Sequence, residues 1–173
     1  MKISKNNLVA IILSFIFITI PFQSVYANDM INYSDIIDNT IVYKDIDGDL
    51  FNLVLLNEDE TEEFINAYNN DSKLRNMLPN LVTFTYYPSY SKVTIKATNY
   101  AVDSLDFLYG YVSLTEGSNP CGITEYRFSN IWPGGSEYIT AVTSDGGYWD
   151  GGVLFADASD GNVSNNGVFF FSK

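Results

Sequence analysis

From Asn80 onward the apolar residues recur at every second position, and no helix can satisfy that period. Val82, Phe84 and Tyr86 alternate with threonines and Tyr87, and Val93, Ile95 and Ala97 alternate with Thr94, Lys96 and Thr98. Side chains of a strand point alternately to opposite faces, so one parity of such a stretch builds a face that has to be buried. Leu105–Thr115, Glu125–Ile131, Glu137–Thr143, Gly152–Ala156 and Val168–Phe171 continue the pattern. Gly110 breaks the alternation of its strand and is expected to mark a bulge. The intervening Pro133-Gly134-Gly135-Ser136, Asp145-Gly146-Gly147 and Asp160-Gly161-Asn162 are turn sequences, and Asn119-Pro120-Cys121-Gly122 reads as another. Seven short strands spaced by turns predict an antiparallel sandwich.

Residues 28–79 read differently, as a short α+β segment in front of the sandwich. Ile41–Tyr43 and Leu50–Leu56 are expected to be strands joined by a hairpin at Asp47-Gly48, because glycine adopts the positive φ of a tight turn. A helix follows. Asn57 can cap it, with Glu60 three residues on as the reciprocal partner. Glu58, Asp59, Glu60, Glu62 and Glu63 sit where the helix dipole favours negative charge. Phe64, Ile65 and Tyr68 give it a narrow apolar face, and Ser72–Leu78 adds a further short helical turn before Pro79 stops it.

Residues 1–27 have the layout of a secretory signal peptide. Lys2 and Lys5 precede an apolar run from Leu8 to Ile20, Pro21 ends it, and Val25-Tyr26-Ala27 offers small residues for cleavage after Ala27. The run suits a signal core of about 7–15 residues and is shorter than the roughly 20 that span a bilayer. The expected mature chain is therefore secreted, 146 residues of the 173, with no stable membrane span after cleavage. Loss of the two lysines leaves seven basic residues against 21 acidic ones, a net charge of −14. Such a surface repels phosphate backbones and argues against nucleic acid as a partner. The absence of histidine removes the commonest general base and zinc ligand, and with it any Ser-His-Asp or Cys-His mechanism within the chain. Cys121 is the only cysteine, so an internal disulfide is ruled out and an intermolecular one is left open. With 13 Tyr and 12 Phe the chain favours half-buried sheet surfaces over helix faces. The resulting fold class is mainly β, an antiparallel immunoglobulin-like sandwich with a short N-terminal α+β segment.

A resemblance supports that class. Thr94-Ile95-Lys96-Ala97-Thr98-Asn99-Tyr100, Asp106–Leu114 and Tyr138–Gly147 together resemble immunoglobulin or fibronectin type III-like modules of secreted Gram-positive bacterial proteins. The likeness covers roughly residues 80–173. It implies a β-sandwich and no assigned activity, and it transfers no catalytic residue.

Two groups of residues are candidates for a site. Tyr86, Tyr87 and Tyr90 cluster around Pro88, and Tyr148, Trp149 and Asp150 sit between paired glycines, a loop expected to leave its rings unburied. Rings of that kind stack on sugars or anchor peptides. Asp45, Asp47 and Asp49 alternate along one stretch, and Asp157 and Asp160 lie in another oxygen-rich one. Both suit calcium, the one cofactor the sequence suggests, although neither has EF-hand spacing. No catalytic residue is assigned. The sequence therefore predicts a secreted, non-enzymatic binding module for an extracellular protein or glycan. A small membrane-active toxin and a hydrolase built on paired carboxylates are the alternatives.

Overall fold

A computed structural model of the chain describes residues 51–161 and 164–173. The expected leader, the strand expected at Ile41–Tyr43, Asp45, Asp47 and Asp49, and Asn162 lie outside those residues.

The described residues are mainly β and form two four-stranded sheets. The first contains β1 (Asn52–Asn57), β2 (Leu81–Pro88), β3 (Lys92–Asn99) and β6 (Ser136–Val142), in the order β1-β2-β3-β6. The second contains β4 (Leu105–Glu116), β5 (Asn119–Ile131), β7 (Gly151–Ser159) and β8 (Ser164–Ser172), in the order β5-β4-β7-β8. Each of the seven stretches with period two after Asn80 is one strand. Their inward parities meet in one core: Phe84, Val93, Ile95 and Ile139 from the first sheet, Leu108, Val112, Leu154 and Phe169 from the second. Burying each such side chain stabilises the fold by about 1.5–3 kcal/mol, so this core is the main reason the sheets face each other.

β1 and β2 are the exception among antiparallel neighbours, running parallel with Asn52 opposite Leu81. A parallel pair needs a long crossover, and the helices α1 (Glu58–Asn70) and α2 (Ser72–Met77) supply it. The expected capping box starts α1. Asn57 accepts from the Glu60 N–H at 2.8 Å, and the Glu60 carboxylate accepts from the Asn57 N–H at 2.9 Å. Phe64 and Tyr68 of α1 bury against Val54, Leu56, Leu74, Leu78 and Leu81, a second core on the outer side of the first sheet. The Tyr68 hydroxyl satisfies itself there by donating to the Leu78 carbonyl at 3.1 Å. The nearly unbroken apolar run Leu53–Leu56 follows from this, since β1 is buried on both faces.

Two expectations about local backbone are corrected. Gly110 is no bulge: it pairs in register with Tyr126 on one side and Ala156 on the other, and the register of β4 and β5 shifts at Leu114/Thr115 instead. Asn119-Pro120-Cys121-Gly122 is no turn. It opens β5, with Asn119 opposite Glu116 and Pro120 opposite Thr115, and the hairpin turn is Gly117-Ser118. Gly117 has the positive φ of 58° that the turn demands. Pro120 is tolerated because β5 is an edge strand, where one side needs no donor.

Candidate functional site

Three of the six aromatic-loop candidates come together at one end of the sandwich. Tyr90, in the β2–β3 turn, and Tyr148, in the β6–β7 loop, are exposed, with ring centroids 6.2 Å apart. The Lys173 ammonium stands 5.0 Å from the Tyr90 ring, 4.6 Å from Tyr148 and 5.8 Å from Trp149. Trp149 departs from expectation because its side chain is 0% exposed. Flanking glycines cannot bury a ring, but distant elements can. The Trp149 Nε1–H donates to the Ser89 carbonyl at 2.9 Å, and the ring sits edge-on to Phe171 at 5.9 Å.

The other three have separate surroundings. Tyr86 points inward and packs on Phe171 at 5.3 Å. Tyr87 has the opposite parity, on the side of the sheet where Glu58 and Tyr138 lie, and partial burial followed by those two neighbours pushes its phenol pKa up. Asp150 fastens the β4–β5 hairpin: both its carboxylate oxygens accept from the Gly117 N–H, at 2.9 and 3.0 Å. Asp157 lies within β7 instead of a loop, and its Oδ2 accepts from the Tyr109 hydroxyl at 2.8 Å. That bond, then the Asp157 charge itself, raises the Tyr109 pKa. Asp157 Oδ1 is buried without a hydrogen-bond partner. Asp160 directly follows the end of β7. Among the described residues no three acidic or thiol side chains gather as metal ligands.

The outer face of the second sheet carries a larger feature. The outward parity of β4 is Phe107, Tyr109 and Tyr111. Beside it stand Val153 and Phe155 of β7, Val168 and Phe170 of β8, and Ile123 and Arg127 of β5. Phe170 is 74% exposed and Ile123 67%, where an ordinary outer face would be polar. Tyr111 stacks on Phe155 at 5.6 Å, and the Arg127 guanidinium lies 5.3 Å from the Phe107 ring centroid. A groove of about 500 Å³ opens between Tyr109, Tyr111, Glu125, Arg127 and Phe155, with Gly110 and Tyr126 also lining it.

Gly110 and Tyr126 make this part of the sheet possible. Tyr126 reaches across to β7, where its hydroxyl donates to the Phe155 carbonyl at 3.0 Å. A Cβ on Gly110 would collide with that carbonyl and with the Tyr126 hydroxyl. Burial, and secondly the Asp157 charge, drives the Tyr126 pKa far upward, so the phenol stays a donor.

Sequence reasoning missed this face, and its signal was present. Phe107–Val112, Gly110 apart, and Val168–Phe171 are apolar or aromatic at both parities, whereas a strand buried on one face alternates. The arrangement offers π-faces, one guanidinium and two carboxylates on a broad surface, which suits contact with a partner. No protein-family model, no curated protein and no solved structure matches this chain.

Proposed function

We propose that the chain is a secreted, non-enzymatic binding module that meets a partner protein through the outer face of its second sheet. The observation that carries this reading is the aromatic face itself. Monomeric proteins rarely expose contiguous apolar patches beyond a few hundred Å², and larger ones mark interaction sites. Tyr, Phe and Arg are the residues enriched in the centres of such interfaces. Secretion rests on the leader-like residues 1–27.

The immunoglobulin-like character belongs to the same proposal, and the strand order supports it. With β2 to β8 lettered A to G, strands A, B and E share one sheet and C, F and G the other, as in constant-type immunoglobulin domains. Strand D differs by pairing with C, and β1 with its crossover helices is an addition at the edge of A.

The test is binding of the purified protein to the envelope of the cells that make it. Wild type is compared with Tyr111→Glu/Phe155→Glu, a pair that charges the face without touching either core. The proposal expects retention by untreated envelopes, loss with the double variant, and loss after protease treatment of the envelope. Loss after periodate treatment instead makes the ligand a glycan. Unchanged retention of the double variant removes the outer face from the function.

A further inference from the structure

We propose that Tyr90, Tyr148 and Trp149 form an aromatic cage for a trimethylammonium group, and that the chain's own Lys173 ammonium fills this cage in the free protein. The Lys173 Nζ lies 4.6–5.8 Å from three ring centroids at once, inside the roughly 6 Å over which a ring quadrupole attracts a cation. One such contact is commonplace on a protein surface. Here three rings from two separate turns converge on one nitrogen, and they are the walls of the proposed cage.

Those walls are held in place. Trp149 is fixed by its hydrogen bond to the Ser89 carbonyl and its edge contact with Phe171. Tyr90 and Tyr148 stand at 55° to one another, so they present two faces and not one flat stack. The same end of the molecule is acidic. Asp145 lies three residues before Tyr148, and Asp150 two after it, fastened to Gly117 beside Glu116. A cation arriving there meets favourable potential as well as ring faces.

Lysine is a poor permanent tenant for this pocket. Its ammonium is compact and strongly hydrated, and in the cage it donates a hydrogen bond to the Tyr90 carbonyl at 3.2 Å. A trimethylammonium group has no N–H to satisfy, carries its charge on a larger apolar surface and gives up less hydration on entry. The Lys173 backbone N–H also donates to the Asp150 carbonyl at 3.2 Å. That bond places the ammonium over the rings and makes Lys173 a competitor that a ligand has to displace. This site lies apart from the sheet face above and does not depend on it.

The experiment titrates tetramethylammonium chloride into the purified protein carrying Trp132→Phe, so that Trp149 fluorescence reports on the cage, with sodium chloride as the ionic control. Lys173→Ala is expected to bind tetramethylammonium about tenfold more tightly than the chain with Lys173, the factor that corresponds to about 1.4 kcal/mol of competition. Adding Tyr148→Ala or Tyr90→Ala, both exposed positions, is expected to abolish that binding while the circular dichroism spectrum is unchanged. Choline and a peptide bearing trimethyllysine then separate a small-molecule source from a protein side chain. An equal response to tetramethylammonium and sodium in Lys173→Ala overturns the proposal. So does binding that survives loss of both tyrosines, or that weakens when Lys173 is removed.

Discussion

Trp149 is fully buried although its neighbours on both sides are loop residues. Its indole N–H finds the Ser89 carbonyl, and its ring closes the end of the core against Phe171. Truncation to alanine therefore removes apolar contacts and leaves a buried carbonyl without its donor. Trp149→Ala is expected to cost about 3–5 kcal/mol, read from the midpoint of a urea unfolding curve. Trp132, 71% exposed, is the internal contrast, and Trp132→Ala is expected to stay within about 0.5 kcal/mol of wild type. Equal losses for the two would show that Trp149 is not the core residue its burial indicates. This single residue also shows where sequence reading stops. Paired glycines around a ring say that the local chain cannot cover it. They say nothing about β8 or the β2–β3 turn, more than twenty and about sixty residues away, which do.

Elements were legible wherever the signal was local. The helix start at Asn57 and Glu60 is a contact between residues three apart, and the period-two stretches state their own strand character. Pairing decides the rest. Gly110 breaks the pattern of β4, and from β4 alone a bulge is the natural reading. Its actual reason lies on the adjacent strands, where Tyr126 crosses to reach the Phe155 carbonyl. Gly110 leaves room for that crossing, and an added Cβ would meet both groups. The neighbour on one side is backbone, which cannot rotate away. Gly110→Ala is accordingly expected to destabilise by about 1–3 kcal/mol, the usual range for overpacking, despite the higher strand propensity of alanine. The rescue that discriminates this account is Gly110→Ala with Tyr126→Phe. Removing the hydroxyl relieves one of the two collisions, so the double variant should be less impaired than the two separate losses predict. Strict additivity of the two would place the cause of the glycine elsewhere.

At the scale of the whole molecule, three layers each keep tyrosines in the neutral form. Tyr68 lies between the helices and the first sheet, Tyr86 and Tyr126 lie in or against the sandwich core, and Tyr109 stands on the outer face of the second sheet. Which strands share a sheet was not legible, because all of them have the same period, and so neither was this distribution. Its consequence is a pH dependence. Burial raises the phenol pKa of Tyr68, Tyr86 and Tyr126, and the Asp157 hydrogen bond raises that of Tyr109. In the unfolded chain each phenol ionises near its ordinary value of about 10. A folded pKa above the unfolded one means that the native state binds more protons across the interval between them. The stabilisation is present in full below the unfolded value and is lost as pH rises through the folded values. The chemistry agrees with the sign: a phenolate at Tyr126 cannot donate to the Phe155 carbonyl, and one at Tyr109 repels Asp157. The thermal midpoint is therefore expected to fall as pH rises above about 10 and to go on falling as the raised folded values are passed, with little contribution from these groups below about pH 9. Tyr126→Phe removes the most strongly shifted phenol, so its stability should depend less steeply on alkaline pH even if it starts lower. A midpoint that stays level through about pH 11, or a Tyr126→Phe slope as steep as that of wild type, would show that these phenols do not hold the layers together in their protonated form.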